Sequence, residues 1–119
     1  MYDHIGLKVK DLDASVRFYE AVLKPLSFVL GSHDKTYAGL GPKDAPALWL
    51  YAGGNGAGTH VAFAAPDRAA VAAFHAAGLK HGGHDNGKPG PRADYSPTYY
   101  AAFLIDPDGN NVEAVCIKG

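Results

Sequence analysis

The sequence predicts an α+β fold: two βαβββ modules in tandem, forming a curved mixed sheet around a cleft with the helices outside. Three observations carry it. The segment HIGLKVKDLDASVRFYEAVL, beginning at His4, is matched without gaps by HVAFAAPDRAAVAAFHAAGL, beginning at His60. His4 falls on His60, Asp11 on Asp67, Ala14 on Ala70, Phe18 on Phe74, Ala21 on Ala77 and Leu23 on Leu79. Each copy passes from period-two alternation to helical spacing. Each is then followed by short apolar runs separated by Gly, Pro and Asp turns. A strand-then-helix unit used twice can place equivalent strand positions opposite one another across a cleft.

Module one is read as residues 1–53. Residues 2–9 alternate, with Ile5, Leu7 and Val9 on one face and His4, Gly6 and Lys8 on the other. Asp11 or Asp13 can cap the helix that follows. Leu12, Val16, Tyr19, Val22 and Leu23 recur at helical spacing over 13–23, and Pro25 stops the helix. Strands are expected at 27–31, 35–41 and 47–53, with turns at Gly31, His33-Asp34, Gly41-Pro42 and Asp44. Residues 54–58 read as a flexible linker. Gly54, Gly56 and Gly58 lack the strand-to-helix setting of a phosphate loop.

Module two, 59–119, repeats the order. Strand 59–65 puts Val61, Phe63 and Ala65 on the packing face and His60, Ala62 and Ala64 on the other. Pro66-Asp67 opens a helix whose buried stripe is Val71, Phe74 and Gly78. Residues 81–98, rich in Gly, Pro and Asn, are expected to hold one short strand and a long mobile loop of the kind that serves as a lid. A strand at 99–106 leads through the DPDG turn to a last strand at 111–118. There Val112, Ala114 and Cys116 can pack inward while Glu113 and Val115 face the cleft.

Bulk properties narrow the function classes. The chain has 119 residues, 47% of them hydrophobic and 19% charged, which suits one folded domain rather than a disordered segment. The formal net charge of −1, with no basic stripe, makes nucleic acid an unexpected partner. The longest apolar runs fall far short of a membrane span, and MYDHIGLKVK is not a signal peptide. A single cysteine, Cys116, cannot form an intrachain disulfide; it reads as a small core residue. A cytoplasmic protein with a small-molecule substrate is expected.

The chemistry-bearing residues converge on the cleft face. Two neutral imidazoles and one carboxylate, His4, His60 and Glu113, form a facial metal set that leaves half of an octahedral shell open to substrate. Trp49 lies on the strand expected at 47–53. It either stacks on a planar substrate or packs in the core. Tyr99 and Tyr100 alternate across their strand, so one must face the cleft, where a phenol can act as an acid or hydrogen-bond donor. Arg92 either grips a substrate carboxylate or phosphate or is a solvated loop charge. His81 and His84 are expected to be exposed, with a lid histidine able to shuttle protons. His33 and His75 carry no assigned role.

The pieces DHIGLKVKDLDASVRFYEAVL, ALWLYAG, THVAFAA with its helix, and YYAAFLIDPDGNNVEAV resemble the vicinal oxygen chelate superfamily. That superfamily includes glyoxalase I, extradiol dioxygenases, fosfomycin-resistance thiol transferases and bleomycin-resistance proteins. The resemblance implies metal ligands from the first and last strands of each module, which are His4, His60 and Glu113 here. It implies one divalent ion, among Fe, Mn, Ni and Zn, and a homodimer, in which some members build each site from two chains. Trp49 departs from the pattern, since glyoxalase I enzymes carry a carboxylate there. Three ligands resemble the dioxygenase or thiol-transferase arrangement instead. The C-terminal tail that brings the thiol transferases an arginine for their phosphonate is not expected here. The leading expectation is a metal-dependent glyoxalase-like or dioxygenase-like enzyme, a lyase, isomerase or oxidoreductase, acting through vicinal oxygens. The alternatives are a thiol transferase and a metal-free binding protein of the bleomycin-resistance type.

Overall fold

A computed structural model of the chain describes residues 2–55 and 58–118. Gly56 and Ala57 of the expected linker lie outside the described residues. The elements in order are β1 (Ile5–Val9), α1 (Leu12–Leu23), a 3₁₀ turn (Lys24–Leu26), β2 (Val29–His33), β3 (Tyr37–Gly41) and β4 (Leu48–Ala52). Then come β5 (His60–Ala64), α2 (Arg68–Lys80), β6 (His84–Pro91), β7 (Tyr100–Ile105) and β8 (Asn111–Cys116). This is the expected α+β pattern, with βαβββ used twice.

The repeat begins with its helix starts. Asp11 caps α1, its carboxylate accepting from the Ala14 amide at 3.1 Å. Asp67 does the same for α2 through the Ala70 amide at 2.8 Å. Each cap satisfies an amide that the helix itself cannot pair. Pro25 lies in the 3₁₀ turn beyond α1, where its missing amide costs nothing. The predicted stripes are buried: Leu12, Val16, Tyr19, Val22 and Leu23 on α1, Val71, Phe74 and Gly78 on α2.

Two four-stranded sheets result, ordered β1-β4-β3-β2 and β5-β8-β7-β6. In each, the first strand runs parallel to the fourth and the remaining pairs are antiparallel. α1 packs on the first sheet, α2 on the second, and the helices pack on each other. The edge strands β1 and β5 approach across an apolar pocket without forming a ladder, so the expected curved sheet consists of two separately hydrogen-bonded halves. No helix among the described residues is long and apolar enough to cross a membrane.

Residues 84–91 depart from the expected short strand and long loop. They form the eight-residue β6, broken by irregularities around Gly87. β6 is an edge strand, so Pro89 and Pro91 need only avoid its inner side. Gly87 lies against Phe103, where a Cβ would come within 2.8 Å of the ring.

The DPDG turn ties the second half to the first. Asp106 is 2% exposed and accepts from the amides of Asp108 and Asn110, the Asn110 side chain and the Tyr19 hydroxyl. Asp108 accepts from the Lys10 amide at 2.7 Å and the Ser15 hydroxyl at 3.0 Å. These buried carboxylates are therefore satisfied from both halves. Burial and the two aspartates push the Tyr19 phenol well above its ordinary range, so it is a neutral donor.

Candidate functional site

Strand register places Ala62, Glu113 and Phe103 in one row across the second sheet. Glu113 is 3% exposed, although its row faces away from the helix. The side chains around it provide the cover. The Tyr99 hydroxyl donates to its Oε2, and its Oε1 lies 3.2 Å from His60 Nε2. Burial and the Glu113 contact push the Tyr99 phenol up to about 12. Tyr99 therefore remains a donor.

The His60 contact has a consequence for protonation. Nδ1 of His60 lies 3.0 Å from the Asn111 carbonyl oxygen, which can only accept. The tautomer with the proton on Nδ1 satisfies that carbonyl. In the neutral ring Nε2 then bears a lone pair, aimed at a carboxylate oxygen that has only lone pairs to offer. Two acceptors at this distance repel unless a positive charge lies at Nε2. A metal ion or a second ring proton supplies that charge. The donor set of one imidazole nitrogen and one carboxylate oxygen fits a divalent ion, with the Asn111 carbonyl fixing the ring tautomer.

His4 immediately precedes β1 and is exposed. Its Nδ1 lies 2.7 Å from Asp3 Oδ1, which leaves Nε2 free in the same way. It sits on the rim of an apolar pocket of about 220 Å³ lined by Leu23, Phe28, Leu40, Leu48 and Val61. Among the described residues no group of three His, Cys, Asp or Glu is placed to hold a metal ion. One chain therefore brings His60 to Glu113 and leaves His4 apart.

Trp49 occupies the row equivalent to Glu113, with Gly6 and Gly39 as its cross-strand partners. Tyr99 is the tyrosine that faces the cleft. Tyr100 packs against the core beneath Arg68, whose guanidinium carbon is 4.8 Å from the ring centroid. The Arg92 guanidinium donates to the carbonyls of Gly90 at 2.8 Å, Pro91 at 3.3 Å and Lys88 at 2.7 Å. Its carbon lies 5.4 Å from the centre of the Phe103 ring, and Phe103 stacks at 6.5 Å on His60. Arg92 is thus a fixed cation beside the His60–Glu113 pair, where the sequence left open a free loop charge.

The other histidines lie elsewhere. His75 is buried and pairs with Asp85 at 2.8 Å. His81 meets the Ala77 carbonyl at the end of α2, while His33 and His84 are exposed strand residues. Cys116 is buried, as expected. Sequence reading missed Phe103 and Tyr95, whose rings frame the site from below Arg92 and beside Tyr99. Alternation from Tyr99 through Ala101 would have placed Phe103 on the cleft face.

The fold agrees with the comparisons. The chain matches the Glyoxalase/Bleomycin resistance protein/Dioxygenase superfamily model over residues 2–114. It belongs to that superfamily. No curated protein matches it. A glyoxalase/bleomycin resistance protein from Albidiferax ferrireducens is 32% identical, with a TM-score of 0.84 and 98% of each chain covered. A family enzyme from Burkholderia phytofirmans shares the fold at 16% identity, TM-score 0.75 and 98% coverage of each chain. A glyoxalase I variant from Zea mays aligns at 27% identity and TM-score 0.71, over 95% of this chain and 44% of its own.

Proposed function

We propose that the chain is a divalent-metal-dependent enzyme of the glyoxalase-like or dioxygenase-like kind, acting on a small substrate that chelates through vicinal oxygens. His60 and Glu113 hold the ion, which is Fe, Mn, Ni or Zn. His4 of a second copy completes the set in a homodimer, because His4 stands apart within one chain. The observation that carries the reading is the 3.2 Å contact of His60 Nε2 with Glu113 Oε1, which in the tautomer that satisfies the Asn111 carbonyl offers two lone pairs to a cation. Such an ion, when bound, supplies Lewis-acid stabilisation of an oxyanion or enolate. The chain's own groups do the rest. Tyr99 keeps its proton and can offer it to a substrate oxygen beside Glu113. Arg92 holds a substrate carboxylate or phosphate with the N–H groups its carbonyl partners leave free. Trp49 of the second copy, on the sheet that its His4 adjoins, walls the cleft from module one.

The same contact favours a second reading. A proton on His60 Nε2 satisfies Oε1 equally well, and the cleft is then a metal-free binding pocket. The test is metal content after chelation and separate reloading with Fe²⁺, Mn²⁺, Ni²⁺ and Zn²⁺, beside Glu113→Ala. About one ion per chain, lost in the variant, is expected. No uptake of any of the four would move the assignment to the metal-free pocket.

A further inference from the structure

The cleft face of module one is built differently from that of module two. Trp49 lies flat on Gly39: a Cβ there would stand 2.6 Å from Cζ3, 2.8 Å from Cη2 and 2.9 Å from Cε3 of the indole. The six-membered ring thus covers bare backbone. Tyr51 lies over Gly6 in the same manner, with Cε2 3.1 Å from the position of a Cβ. Gly6, Trp49 and Gly39 form one row across the sheet, and Lys8, Tyr51 and Tyr37 form the next. Tyr37 closes one side, its ring 6.0 Å from Trp49 and tilted by 59°.

Tyr37, Trp49 and Tyr51 alone line a shallow hollow of about 290 Å³. Tyr51 remains 42% exposed. Three aromatic rings on one open face are a costly surface for water to cover. An aliphatic ligand would find only area there. A planar ring finds π faces at stacking or edge distance, which adds to burial. Lys8 continues the second row, is exposed, and makes no ion pair among the described residues. An anionic substituent beside the ring would meet its charge.

We propose that this face is a stacking platform for a planar aromatic ring carrying a carboxylate, the part of the ligand that lies opposite the His60–Glu113 pair. The proposal rests on the reading that this face and the His60–Glu113 face of a second copy line one ligand cleft. Gly39 and Gly6 act as positioning residues, since any side chain at Gly39 would lift the indole off the sheet.

Trp49 is the sole tryptophan, so its fluorescence reports the platform directly. The chelated, metal-free protein is titrated with benzoate and with cyclohexanecarboxylate, which has the same charge without the flat ring. Binding is followed by fluorescence and by calorimetry. Benzoate is expected to quench Trp49 and to bind about fivefold tighter than its saturated counterpart. Trp49→Leu should remove that preference in calorimetry while circular dichroism stays native. Lys8→Met should weaken both acids alike. Equal affinity for the two acids, or a preference that survives Trp49→Leu, would overturn the proposal. Glu113→Ala separates the two readings. It should abolish metal uptake and leave benzoate binding intact, whereas loss of benzoate in this variant would place the ring on module two and refute the platform.

Discussion

Modules one and two share a scaffold and differ in what they present. At equivalent positions they carry the same caps, Asp11 and Asp67, and the same buried aromatics, Phe18 and Phe74. On the cleft rows they part: Gly6-Trp49-Gly39 answers Ala62-Glu113-Phe103. One face offers π surface and the other a carboxylate held by a phenol and an imidazole. The period of a strand explains how both can hold in one repeat. Inward positions are fixed by packing against a helix, while outward positions answer only to whatever enters the cleft.

The largest effect tests the shared scaffold. Phe18 and Phe74 are both fully buried, so Phe18→Ala and Phe74→Ala should each cost about 3–5 kcal/mol in urea unfolding. Equal losses with one transition would show that the halves unfold together. Two transitions, each moved by one variant, would break the equivalence into independent units. The next effect is one-sided. Asp106 and Asp108 reach from module two to Tyr19, Ser15 and Lys10, whereas the corresponding β3–β4 turn of module one, residues 42–45, has a single acid, Asp44, which is exposed. Tyr19→Phe leaves a buried carboxylate short of a donor and should lower stability by about 1–3 kcal/mol. A loss below about 0.5 kcal/mol would show that water replaces the phenol.

An effect of similar size concerns the fit of helix to sheet. The repeat aligns Gly78 with Val22, both buried. A Cβ at Gly78 would stand 2.2 Å from Leu104 Cδ1. Gly78→Ala should therefore destabilise by about 1–3 kcal/mol despite its better helix propensity. Adding Leu104→Ala to Gly78→Ala should cost less than the two single losses combined. Simple additivity would show that α2 can shift away from β7.

Much of this was legible because it is local. Asp caps, a helical stripe and strand parity act within a few residues, so the inward set Val112, Ala114 and Cys116 and the outward Glu113 follow from alternation. The approach of His60 to Glu113 follows too, since β5 and β8 are neighbours in a βαβββ unit. The position of His4 did not. It depends on how two edge strands approach without a ladder, which no local pattern encodes. β6 was hidden by its prolines and glycines, which suit an edge strand as well as a loop. The Asp106 and Asp108 bonds were hidden because turn residues look alike whether they face water or another module.

The smallest expected effect compares two exposed aspartates. Asp34 in module one is held below the usual carboxylate range chiefly by the Thr36 amide. Asp85 in module two is lowered chiefly by the Gly87 amide and then by His75. A depressed folded-state value means that the stabilisation is complete above the unfolded value, about 4. It is lost as the pH falls through the folded one. Thermal unfolding of Asp34→Asn and Asp85→Asn should therefore fall less steeply with acidification below about pH 4 than that of the parent chain. Near neutrality Asp85→Asn should be the more destabilising of the two, because it also strips a partner from buried His75. Parallel acid limbs for the parent and Asp85→Asn would mean that the carboxylate is not depressed, and the β6 anchor would then rest on the hydrogen bond alone.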